Sequence, residues 1–237
     1  MTSFDDDIER HRSRGLPFDA IIFDFDGVLL ESEFEGNRQL AELLTDLGHR
    51  TTLEEALKHY VGLAGKEFIA AIEARIGAPL PPEFHQRRME QSVRALREGV
   101  RAVVGAVDFV QSLSPSLPKA VASSSSTGWI RRHLDHLGLA DAFGEHIYSG
   151  REHVERGKPA PDLYLHAAQS LGVDIGRSVI IEDSEVGVTG ALASGATVIG
   201  LAAGTHCLDG HADLLRALGV GHVAGSFDEV RSLLGLT

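Results

Sequence analysis

Four short apolar runs, separated by stretches of helical periodicity, constrain this chain more than any other feature of its sequence. Asp19–Phe25 (DAIIFDF), Lys119–Ser123 (KAVAS), Ser178–Ile181 (SVII) and Thr197–Leu201 (TVIGL) have the length and unbroken apolar character of strands buried on both faces. His222–Ala224 is a weaker fifth candidate. Apolar residues at helical spacing fill Ala106–Leu113, Trp129–Leu137, Pro161–Leu171 and Val186–Ser194 between them. A chain that alternates in this way returns each strand through a right-handed crossover, so the sheet is parallel and helices cover both faces. The fold class predicted is α/β, a Rossmann-like three-layer core.

One stretch breaks the alternation. From Phe34 to Glu98 the apolar residues keep helical spacing throughout: Leu40, Leu43, Leu44 and Leu47, then Phe68, Ile69 and Ile72, then Met89, Val93 and Leu96. This predicts a helical insert, a cap domain over residues 34–98, between two parts of the core at residues 1–33 and 99–237. Residues 1–17 are polar, lack an apolar segment, and read as an extension rather than a secretory signal.

Ligands of an open parallel sheet bind beyond the carboxyl ends of its strands. Unusual polar residues gather at those positions here. Asp24, Asp26 and Gly27 follow the first run, Ser123–Ser126 the second, and Glu182 with Asp183 the third, while Lys158 stands in a Gly-Lys-Pro turn. Singly, each has an ordinary explanation as a turn or a helix cap, and Ser184 has the position of an N-cap. Jointly, four carboxylates in one cleft raise one another's pKa and require cations. A hard divalent ion such as Mg²⁺, which prefers carboxylate, water and phosphate oxygens, resolves the crowding, and Lys158 adds the remaining positive charge. The chemistry implied is phosphoryl transfer.

The formal net charge of −12 argues against nucleic acid or an anionic membrane surface as partner, and makes a phosphate site dependent on local cations. No window approaches the ~20 apolar residues of a membrane span. The single cysteine, Cys207, excludes an intrachain disulfide and agrees with a cytoplasmic location. Among the histidines, the His133/His136 and His206/His211 pairs match no zinc spacing and read as surface side chains. Trp129 and Phe143 read as core residues. Nothing in the sequence fixes an oligomeric state.

Taken in order, Asp24-Phe-Asp26-Gly27-Val-Leu, Ser123, Lys158-Pro159 and Glu182-Asp183 resemble the four motifs of the haloacid dehalogenase superfamily over nearly the whole chain. Gly157–Asp162 and Glu182–Gly187 are most similar to its beta-phosphoglucomutase-like and sugar-phosphatase branch. The resemblance implies that Asp24 is the nucleophile, phosphorylated in turnover, and that Asp26 is the general acid and base. It implies that Ser123 and Ser124, with the backbone around Gly27, hold the phosphoryl group, and that Lys158 neutralises it. Asp24, Asp183 and the carbonyl of Asp26 would bind Mg²⁺, with Glu182 either behind them or a direct ligand.

Asp26 argues against the dehalogenases and phosphonatases of this family, which lack an aspartate there. Three departures bear on a phosphosugar mutase: Gly65 occupies the place of a cap arginine, Gly36 that of a histidine, and Glu31 that of an aspartate. Lys66 is the nearest substitute for that arginine, without its bidentate fork. The function expected is a magnesium-dependent phosphatase acting on a small phosphorylated metabolite such as a sugar phosphate. The alternatives are a beta-phosphoglucomutase-like mutase, or a regulatory module that binds phosphate without turnover.

Overall fold

The computed structural model describes residues 16–63 and 65–236. Most of the polar extension expected over residues 1–17 lies outside them. Six strands form one parallel sheet in the order β3-β2-β1-β4-β5-β6: β1 Ala20–Phe23, β2 Lys119–Ser123, β3 Ile147–Ser149, β4 Ser178–Glu182, β5 Thr197–Leu201 and β6 His222–Ala224. β1 is central, with Ile22 opposite Ala120 of β2 on one side and Ile180 of β4 on the other. Successive crossovers run outward from β1 in one direction and then, from β4, in the other. The strand order thus reverses beside β1, the place where doubly wound sheets open a crevice.

The unbroken apolar strands are explained by the layers they separate. Ile21 and Phe23 face one cluster with Phe109, Val110, Phe143 and Phe227, while Ile22 faces another with Ala120, Tyr164, Ile180 and Leu215. A residue of either parity on β1 is therefore buried, which is why its sequence does not alternate. Eleven helices are described. α1 Ser32–Asp46, α2 Leu53–Tyr60, α3 Gly65–Ile76 and α4 Pro82–Glu98 lie between β1 and the rest of the core. α5 Ala106–Ser112, α6 Thr127–Leu137, α7 Ala140–Phe143, α8 Asp162–Leu171, α9 Glu185–Ser194, α10 His211–Ala217 and α11 Phe227–Leu234 surround the sheet.

The helices of residues 32–98 bury their own apolar stripe: Leu40, Leu43 and Leu44 of α1 meet Tyr60, Ile72 and Phe84 from the other three. α2 starts at a capping box, in which the Thr52 hydroxyl accepts from the Glu55 N–H and the Glu55 carboxylate accepts from the Thr52 N–H. The two segments joining this insert to the core are zipped together. Leu30 bridges Ala102 in antiparallel fashion, the Glu31 N–H donates to the Arg101 carbonyl (2.9 Å), and the Val103 N–H donates to the Leu29 carbonyl (3.1 Å).

Strand β3 and helices α7, α10 and α11 were not among the elements expected from the sequence. β3 has only three residues and is paired on one edge alone, so its apolar run is too short to stand out. Two of the side-chain expectations fail. His133 is fully buried, edge-on to Trp129 with ring centroids 4.2 Å apart, and His206 is buried as well. Amphipathic imidazole rings are buried whenever a helix or loop turns them inward, whatever their polarity suggests. Phe143 does lie in the core.

Candidate active site

β1 ends at the crevice, and the chain continues through Asp24 and Asp26, which line it. The Lys158 ammonium lies 2.5 Å from Asp24 Oδ1 and 2.6 Å from Glu182 Oε1, with all three side chains buried. Lys158 also sits 5.0 Å from the ring centroid of Tyr164, whose hydroxyl donates to Glu182 Oε1 at 2.8 Å. The other Glu182 oxygen accepts from the Asp183 N–H, the Ser184 N–H and the Ser184 hydroxyl at 2.9–3.1 Å. Glu182 is therefore saturated with donors, and its geometry is that of a partner that holds Lys158 in place. Gly187 makes room for it: a Cβ there would fall 1.8 Å from Glu182 Oε1.

Asp183 is different. Both of its oxygens are buried without a hydrogen-bond partner; His206 Nε2 comes to 2.7 Å from Oδ2, but off the hydrogen-bonding direction. One oxygen from each of Asp24, Glu182 and Asp183 lies within 4.8 Å of the others. An orphaned, buried carboxylate is costly unless a cation satisfies it. These hard oxygen donors fit Mg²⁺.

Gly27 was expected beside the phosphoryl group, and the structure gives it another part. Its N–H is spent on the Leu30 carbonyl at 2.7 Å. A Cβ on Gly27 would meet Asp183 Oδ2 at 2.1 Å, and its φ of 90° is one that side chains disfavour. The glycine lets the two loops close on each other at the carboxylates.

Asp26 is gripped by four donors. The Ser32 hydroxyl (2.6 Å) and the Trp129 indole N–H (3.1 Å) reach Oδ1; the hydroxyls of Ser125 (2.6 Å) and Ser123 (3.4 Å) reach Oδ2. Trp129 packs against the core, as expected, and also lines the cleft, where its indole N–H orients Asp26. The serine run divides its labour: Ser123 and Ser125 face Asp26, Ser124 lines the cleft, and Ser126 caps α6 by accepting from the Trp129 N–H. Ser184 caps α9 in the same way. Glu31 is buried, with its carboxylate bound by the N–H and hydroxyl of Thr205; it ties the loop after β1 to the loop after β5.

A cleft of about 850 Å³ opens over these groups, bounded on the insert side by Glu33, Asn37, Gln39, Leu63, Arg88 and Gln91. Lys66 is exposed at the start of α3 and is not part of that lining; Arg88 of α4 is the insert's cation in the cleft. The α3 register turns Lys66 to solvent, which a reading of linear spacing does not reveal.

Burial pushes Asp24 and Asp183 well above the ordinary carboxylate range, and their acidic neighbours push them further, while Lys158 opposes the shift. Burial also acts on Glu182, but the Lys158 ammonium and the donors around it hold that carboxyl low. Glu33 is raised from 4.5 to about 8, first by burial and then by Asp26 and Asp183. Each raised acid keeps a proton in the folded chain that the unfolded chain has lost. Metal-free stability should therefore fall as pH rises from 4.5 to about 8, the window set by Glu33. Melting the chelated protein across that window tests this. At a hundred-fold excess over its dissociation constant, Mg²⁺ should raise the melting temperature by about 5–10 °C at the alkaline end, and less at the acidic end. A metal effect independent of pH would contradict the assignment of these carboxylates to the metal.

A family model described as haloacid dehalogenase-like hydrolase matches residues 18–195. The chain is 30% identical over 179 residues to the fructose-1-phosphate phosphatase YqaB of Escherichia coli, covering 74% of this chain and 92% of that protein. It is also 30% identical over 185 residues to hexitol phosphatase A of the same organism, covering 76% and 81%. Among solved structures, a hydrolase of the same family from Deinococcus radiodurans, with bound phosphate and sodium, superposes with a TM-score of 0.76 at 36% identity. That superposition covers 92% of this chain and 95% of the other.

Proposed function

The chain belongs to the haloacid dehalogenase-like hydrolases, and from that membership we propose that it is a magnesium-dependent phosphatase of small phosphorylated metabolites, with sugar phosphates the favoured class. The observation that carries this reading is the Lys158 ammonium 2.5 Å from the Asp24 carboxylate, at the floor of a cleft whose other catalytic candidate, Asp26, is fixed by four donors. Relatives matched over most of their own length, a fructose-1-phosphate phosphatase and a hexitol phosphatase, support the substrate class.

In this reading Asp24 attacks phosphorus, and the bond to the ester oxygen breaks as the acyl-phosphate forms. Asp26 gives its proton to the departing alcohol, then takes one from the water that attacks the acyl-phosphate, which frees phosphate and restores Asp24. Serine hydroxyls rotate and both donate and accept, so the contacts of Ser32 and Ser125 serve Asp26 with and without its proton. Lys158 neutralises charge on Asp24 and on the transferring group, and Glu182 with Tyr164 fixes its position. Ser123 and Ser124, which line the cleft, would bind phosphoryl oxygens. Asp24, Asp183 and the carbonyl of Asp26 would hold Mg²⁺, which when bound neutralises phosphate charge in a loose transition state.

Residues 34–98 act as the cap, and its amide side chains Asn37, Gln39 and Gln91 suit the hydroxyls of a polyol chain. The mutase alternative is weakened at Gly36, which lines the cleft and supplies no side chain to shield the acyl-phosphate from water.

A panel of phosphate esters with Mg²⁺ tests the proposal. Phosphate should be released from at least one sugar or polyol phosphate; isomerisation of a phosphosugar without release would favour the mutase, and silence across the panel would overturn both.

A further inference from the structure

His206, Cys207 and His211 each offer a donor atom, and the three lie within 4.8 Å of one another. They match no linear zinc motif, because the loop after β5 and the first residue of α10 bring them together through the fold. Cys207 Sγ stands 3.5 Å from His206 Nε2. A tetrahedral zinc ion, with bonds of about 2.3 Å to sulfur and about 2.0–2.1 Å to nitrogen, holds such atoms ~3.6 Å apart. The pair therefore already has the edge length of a zinc site.

The support behind these donors is built in. His206 is almost wholly buried, and its ring lies so close to Gly204 that a Cβ there would fall 2.4 Å from His206 Cε1. Thr205, the residue before it, is bound through its N–H and hydroxyl by the buried Glu31. Cys207 and His211 are only half-buried, which leaves an entry path from solvent. Nitrogen and sulfur donors select a softer ion than the oxygen donors around Asp24.

The cluster also touches Asp183 from two sides. His206 Nε2 lies 2.7 Å from Asp183 Oδ2, and His211 Nε2 lies 2.7 Å from the Asp183 carbonyl oxygen. An ion on these donors would redirect the lone pairs of both rings, and Asp183 Oδ2, 2.7 Å from His206 Nε2, is within reach of its fourth position.

We propose that His206, Cys207 and His211 form a second metal site, selective for Zn²⁺ or a similarly thiophilic divalent ion, and that filling it inhibits the hydrolase by competing for Asp183. Binding releases the thiol proton to solvent and leaves the thiolate on the ion. The inhibition rests on the hydrolase reading above; the site itself does not.

Cobalt titration of the metal-free protein reads the site without reference to turnover. One equivalent should give a near-ultraviolet thiolate-to-cobalt charge-transfer band, which Zn²⁺ abolishes by displacement and Cys207→Ser eliminates. With Mg²⁺ saturating, stoichiometric Zn²⁺ should lower phosphate release by about ten-fold or more, the scale on which disturbing a ligand's surroundings acts. Cys207→Ser should keep its basal Mg²⁺-dependent rate and lose this sensitivity. Absence of the band, or equal zinc inhibition in Cys207→Ser, would overturn the proposal, the latter by placing zinc at the Asp24 site. A band in a protein that releases phosphate from no ester would uphold the zinc site and defeat the phosphatase reading alone.

Discussion

Asp24→Asn should abolish turnover, a loss of at least about 10⁴-fold, of the order seen when a nucleophile is removed. An amide cannot form the acyl-phosphate; of the neighbouring carboxylates, Glu182 is committed to Lys158, Tyr164 and the Ser184 backbone, and Asp183 is assigned to the metal. The same substitution should leave the metal-free protein at least as stable as the parent. It removes one of three crowded carboxylates while Lys158 keeps Glu182 as its partner. Phosphate release and a thermal melt in chelator, measured on one preparation, check both halves. Residual hydrolysis near the parental rate would remove Asp24 from its role; a large loss of melting temperature would mean that the carboxylate has a structural duty beyond chemistry.

The second large effect is expected at Lys158. Lys158→Met fills much of the same volume but strands Asp24 and Glu182, both buried, beside Asp183. Removing one member of a buried charge cluster costs about 3–5 kcal/mol, and in a chain of this size that lowers the melting temperature by roughly 6–20 °C. The variant should also lose turnover, since the transferring group is left without its ammonium. Activity lost with stability unchanged would mean that the buried carboxyls simply take up protons. Mg²⁺ separates the effects: it should restore part of the stability and little of the rate.

Much of this site could be read from the sequence because each carboxylate ends or closely follows a strand, and the strands announce themselves. Lys119–Ser123, Thr197–Leu201 and His222–Ala224 have the bounds that their apolar runs predict. Depth was harder to read than order. Trp129 reads as a core residue and packs as one, but only the turn of α6 from Ser126 shows that its indole N–H reaches Asp26. Glu31 looked like a departure from a pattern until the loop after β5 supplied Thr205 to bind it. His206, Cys207 and His211 were legible as residues and illegible as a group, because spacing rules describe local chelation while these donors meet across a loop and a helix start. Lys66 failed for the opposite reason: its position along the chain suggested the cleft, and the rotation of α3 sent it outward.

The pairing of the segments Leu29–Glu31 and Arg101–Val103 has a mechanical consequence. Two independent tethers would let the helices of residues 32–98 twist, slide and tilt. Fastened edge to edge, they would behave as a single leaf and confine a swing of those helices to rotation about one line. That line would pass beside Asp26, which the Ser32 hydroxyl holds at 2.6 Å, so in such a swing the acid would move least and the far rim of the cleft most.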